Sequence, residues 1–104
     1  GTMWSFQDFA PLLEKYGVKV YELYAPESTE KNKWYRDLKE GNEKTVLQNL
    51  SDTNARFISS VKTYRPDAKE EVFRGNTYGA KKAKAMGLID EIMTLNEVIS
   101  QLAN

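Results

Sequence analysis

VFRGNTYGAKKAKAMGLIDEI, residues 72–92, carries more structural instruction than any other stretch of this chain. Gly75 permits a bend, and Thr77 with Tyr78 reads as a minimal strand, 77–78. Ala- and Lys-rich residues 79–86 then read as a two-turn helix, with Gly87 where a helix C-cap needs positive φ. An apolar step follows and ends in the acidic pair Asp90 and Glu91.

Working outward, the C-terminal side opens with Thr94 and, three residues on, Glu97, which is the spacing of a capping box. Leu95, Val98, Ile99 and Leu102 give the last helix one apolar face. On the N-terminal side, Asp67 and Glu70 have the same box spacing and predict a short helix ending near Phe73. Before them, Val46, Leu47, Leu50, Asn54, Phe57, Ile58, Val61 and Tyr64 form one stripe at helical spacing over about 43–64. Arg65-Pro66 stops it, because the residue before proline disfavours helix.

The first third is less regular. Ser5 reads as an N-cap, with Phe6, Phe9, Ala10, Leu13 and Tyr16 on one helical face and Gly17 closing the helix. Residues 18–24 are rich in β-branched and aromatic side chains and read as a strand. APESTEKNK, 25–33, has no periodicity and reads as a loop, while Trp34, Tyr35 and Leu38 suggest a docked helical turn. The expected fold class is therefore α/β, mostly helical, with one clear strand at 18–24 and a minimal second one at 77–78. Residues 1–104 are expected to form one small domain, without a repeat or a dividing linker.

Composition excludes several functions. Fifteen basic and fifteen acidic side chains cancel, so no overall field attracts nucleic acid. There is no cysteine for a disulfide or a thiolate metal site, and no histidine to act as base or ligand. No cofactor or metal is expected. The apolar runs fall far short of the roughly 20 residues that span a bilayer, and no signal peptide opens the chain. Residues 1–3 read either as a cloning scar or as a native glycine bend.

The segment 72–92, in its order of aromatic residue, glycine bend, Thr-Tyr step, Ala-containing helix and Gly-Leu-Ile-Asp-Glu-Ile, resembles the closing part of the signal peptide peptidase A family. The helix–glycine–strand order of 5–24 fits the same family. The resemblance implies a Clp protease/crotonase-like fold, of which this chain is the C-terminal portion. It also implies Ser/Lys peptide-bond hydrolysis, in which a neutral lysine takes the proton of an attacking serine. The family's lysine lies in the loop after the strand that follows the first helix. Here the usual register falls near Thr29, which cannot be a base, so Lys31 is the favoured general base and Lys33 the second choice. Both also read as solvated loop lysines: with an ordinary pKa of about 10.4, fewer than roughly 0.1% are neutral at pH 7.

The serines are Ser5, Ser28, Ser51, Ser59, Ser60 and Ser100, and none precedes a glycine run of the nucleophile type. The nucleophile and its oxyanion-hole glycines are therefore expected on a segment preceding this chain, which alone would be inactive. Asp90 and Glu91 point apart as sequence neighbours and read as structural; Lys81, Lys82 and Lys84 read as a solvated face. In the parent, the resemblance implies a peptide or protein substrate and a homo-oligomer. The loop 28–32, Ser-Thr-Glu-Lys-Asn, looks more like a phage or prophage branch acting on scaffold or capsid proteins. That branch would be cytoplasmic; a cellular signal peptide peptidase would be membrane-associated or periplasmic. Two rival readings are a non-catalytic assembly module and a crotonase-like acyl-CoA enzyme fragment, the latter having no use for a lysine loop.

Overall fold

The computed structural model describes residues 1–103. Among the described residues five α-helices and one 3₁₀ turn follow one another: α1 Ala10–Lys15, α2 Lys33–Lys39, α3 Lys44–Tyr64, the 3₁₀ turn Glu70–Arg74, α4 Ala80–Ala85 and α5 Leu95–Ala103. They divide into two compact units, Thr2–Thr53 and Asn54–Asn104 with Gly1, the division falling inside α3.

The α/β expectation is wrong. Among the described residues there is no strand, neither at 18–24 nor at 77–78. A β-branched, aromatic run is suited to a pleated surface, but it becomes a strand only when a neighbour completes its backbone ladder. Among the described residues no other segment pairs with it. Val18, Val20, Tyr21 and Leu23 consequently lie exposed, Leu23 at 88%.

The first helix also starts later than Ser5. Pro11 occupies the first turn of α1, a position that suits its fixed φ and missing N–H. The Asp8 side chain accepts from the Ala10 N–H at 3.1 Å, the role expected of Ser5. Three short helices end alike. Gly17 donates to Glu14 O and Val18 to Leu13 O; Gly41 to Leu38 O and Asn42 to Asp37 O; Gly87 to Lys84 O and Leu88 to Ala83 O. Each is a Schellman pair, closed by a glycine in the left-handed region.

In the unit Thr2–Thr53, the first turns of α3 and the helix α2 flank an aromatic cluster. Trp4 and Trp34 have ring centroids 4.6 Å apart, and Phe6 meets Tyr35 edge-on at 5.2 Å. A cavity of about 420 Å³ opens beside it, lined by Met3, Trp4, Trp34, Val46 and Leu50 among others.

In the unit Asn54–Asn104 the core is Ala83 and Met86, 8% and 4% exposed. The Lys69 N–H donates to Met86 O at 3.1 Å, drawing the 66–69 backbone onto the end of α4. This contact holds Lys69 extended and delays the 3₁₀ turn to Glu70, so the expected Asp67–Glu70 box does not form. The Arg65 guanidinium grips Asp90 with both nitrogens, Nη2 to Oδ2 at 2.9 Å and Nη1 to Oδ1. Lys84 pairs with Glu91 at 3.2 Å, so the acidic pair serves two separate ion pairs. At α5 the capping box is complete: Thr94 N donates to Glu97 Oε2 and Glu97 N to Thr94 Oγ1, each at 3.2 Å.

Much apolar surface stays uncovered. Two compact units of half this mass would together expose roughly 7,200 Å²; this chain exposes 8914 Å². Leu95, Ile99 and Leu102 on α5, and Leu47 and Phe57 on α3, are among the exposed side chains.

Candidate functional site: the lysine loop

Residues 25–33 form a chain of tight turns rather than an open loop. Ser28 N donates to Ala25 O at 2.9 Å, Lys31 N to Ser28 O at 3.2 Å, and Lys33 N to Glu30 O at 3.2 Å. Asn32 then takes the left-handed conformation, φ 51° and ψ 28°, and caps the N-terminus of α2. Its carbonyl accepts from Tyr35 N at 3.1 Å and Arg36 N at 3.0 Å. Asparagine tolerates this backbone better than most residues.

The loop is tied to its surroundings by side chains from both flanks. Arg36 Nη2 donates to Thr29 O at 2.8 Å and to Lys31 O at 3.0 Å. The same guanidinium lies 4.9 Å from the ring centroid of Tyr24, within cation–π range. Tyr24 donates to Glu22 Oε2 at 2.9 Å and accepts from Asn32 Nδ2 at 3.4 Å. Glu22 Oε2 also lies 3.7 Å from Lys39 Nζ on α2.

The two candidate lysines are placed differently. Lys33 is the first residue of α2, and its ammonium meets Asp37 Oδ2 at 2.8 Å. That hydrogen bond, with the carboxylate's charge, raises the Lys33 pKa above the ordinary lysine value. A base must be neutral, so this shift runs against catalysis. Lys31 is exposed in the loop, with its backbone held by Arg36 and its ammonium in no ion pair among the described residues. Ser28 and Lys31 are joined through backbone, not through their side chains. No metal-ligating cluster occurs among the described residues, and no helix is long and apolar enough to cross a membrane.

Sequence reading missed Arg36. Its signal would have been only an arginine one helical turn beyond an irregular loop. The Lys33–Asp37 pair was readable from its i,i+4 spacing, which puts both residues on one helix face.

The model of peptidase family S49 matches residues 1–104, and the chain belongs to that family. Searches of curated proteins and of solved structures found no match to it.

Proposed function

We propose that this chain is the lysine-bearing part of a Ser/Lys peptidase, that the serine nucleophile stands on a preceding segment of a longer protein, and that Lys31 is the general base. The observation that supports it best is the division of labour in the loop. Asp37 stabilises the charged form of Lys33, whereas Lys31 sits on a backbone held by Arg36 with its ammonium in no ion pair among the described residues. In the complete site the serine hydroxyl would attack the peptide carbonyl carbon while the neutral Lys31 amine takes its proton. The step requires a neutral amine, which a lysine offers when it is buried or lies beside another positive charge. Backbone N–H groups would stabilise the oxyanion. The substrate would be a signal-peptide remnant or, if the loop 28–32 marks a phage branch, a scaffold or capsid protein.

Peptide turnover by the full-length protein tests this reading. Lys31→Ala is expected to abolish hydrolysis of a fluorogenic signal-peptide mimic, and this chain alone is expected to show none. Activity that survives Lys31→Ala but not Lys33→Ala would overturn the assignment.

A second reading is favoured by the exposed apolar residues of α3 and α5: the chain also serves assembly, as a homo-oligomer. Light scattering across a dilution series is expected to show mass above the monomer, reduced by Ile99→Gln with Leu102→Gln. A monomer at every concentration would end that reading.

A further inference from the structure

We infer that Arg36 is a positioning residue for peptide hydrolysis, fixing the main chain from which the Lys31 amine reaches the reacting groups. The inference rests on the assignment of Lys31 as base. Its own ground is geometric. A single nitrogen, Nη2, donates to the carbonyls of Thr29 and Lys31, which bracket the peptide units on either side of Glu30. Both of its hydrogens are used, and the two carbonyls are drawn to one point. The Lys31 carbonyl is one of them, so the Cα that carries the amine has little freedom left.

Arg36 is in turn anchored from two sides. Its backbone N–H makes a first-turn bond of α2, to Asn32 O at 3.0 Å, and its guanidinium packs over Tyr24. Its Nε is buried without a partner among the described residues. An arginine serving only solubility would turn that N–H to water; here it is desolvated while Nη2 holds the loop. The turns' own backbone bonds, at 2.9–3.2 Å, are supplemented from outside the loop. A guanidinium reaching back from a helix supplies charge-assisted donors to it.

The chemistry explains why this placement matters. A base that must remove a proton in the transition state loses rate steeply with displacement, roughly 100-fold for about 1 Å. Arg36 touches no reacting atom, so its loss should lower kcat and leave KM little changed. Arg36→Lys keeps the charge, but its stem ends about one bond short of Nη2 and it loses the planar packing on Tyr24, so it holds the loop only in part, whereas Arg36→Ala does not hold it at all.

Two measurements test the inference together. In this chain, amide hydrogen exchange is followed at Lys31 and Lys33, whose N–H groups close the loop turns, and at Gly41 and Asn42, which close α2. Arg36→Ala is expected to speed the first pair and spare the second; Arg36→Lys is expected to speed the first pair less. In the full-length protein, Arg36→Ala is expected to lower kcat about 10- to 100-fold at unchanged KM, with Arg36→Lys falling between it and the wild type. Unchanged exchange at Lys31 in Arg36→Ala overturns the inference. So does a wild-type kcat in that variant while Lys31→Ala is inactive, and this outcome leaves the base assignment standing. A fully active Lys31→Ala removes the base assignment itself and the inference with it. If Arg36→Ala fails to fold, Arg36→Met, which keeps the apolar stem without the donors, decides by the same two readouts: unchanged Lys31 exchange or a wild-type kcat in it overturns the inference.

Discussion

Replacing Gly87 by alanine separates two reasons for a glycine that are usually confounded. Gly87 and Gly17 both end helices at nearly the same φ, +83° and +82°. An L-residue in that region costs about 1–2 kcal/mol, offset in part by the roughly 0.4–1 kcal/mol that Gly→Ala gains by restricting the unfolded chain. Their surroundings differ. A Cβ on Gly17 would meet nothing within 4 Å. A Cβ on Gly87 would meet Asp67 O at 3.0 Å, Ala68 Cα at 3.1 Å and Ala68 N at 3.2 Å, all main chain. These atoms cannot swing aside, because the Lys69 N–H bond to Met86 O holds the same strand of backbone in place. Overpacking of this kind adds about 1–3 kcal/mol. Gly17→Ala should therefore cost about 1 kcal/mol or less, and Gly87→Ala about 2–4 kcal/mol. Exchange of the Leu88 amide, bonded to Ala83 O, reads the second locally and should accelerate roughly 30- to 700-fold. A thermal melt should fall by at least about 8 °C for Gly87→Ala. Equal effects of the two substitutions would show that the 67–69 backbone does not press on Gly87, and the packing argument would fail.

Two further predictions concern polar groups. The hydrogen bonds and charge of Arg65 hold the Asp90 carboxyl below the usual carboxylate range; a depressed folded pKa stabilises above the unfolded value of about 3.9 and is lost as pH falls through the lower one. Carboxyl carbon NMR should show Asp90 titrating upward again in Arg65→Gln, and an identical titration in both proteins would dismiss the pair as ineffective. Thr94→Ala removes half of the reciprocal cap on α5 and should cost that helix about 1 kcal/mol, seen as about fivefold faster exchange at the Glu97 amide; unaltered exchange there would mean that the hydroxyl bond is not formed in solution.

The features legible in the sequence were those written locally. A glycine after an apolar face closes a helix through its own backbone geometry, and Thr94 with Glu97 cap each other across three residues; neither needs a distant partner. The long α3 was legible for the same reason, from a stripe and a proline. Residues 18–24 failed because a strand is a property of two segments, and composition describes only one. The Asp67–Glu70 box failed because Lys69 is committed to Met86, seventeen positions away. At the candidate site, Lys31 and Lys33 could be nominated by their place in the loop. Of what distinguishes them, Asp37 beside Lys33 follows from i,i+4 spacing within α2, whereas Arg36 behind Lys31 depends on how α2 turns back over 25–33.

Both tryptophans of the chain stand together in one cluster, Trp4 against Trp34, and the unit Asn54–Asn104 has none. Indole emission therefore comes from one half of the molecule alone. Since Trp34 belongs to the first turn of the helix that carries Arg36, an optical change on adding a substrate peptide or a preceding segment would report arrival beside the lysine loop without any attached dye. The other half carries no indole, so any change in that emission belongs to the unit Thr2–Thr53 alone.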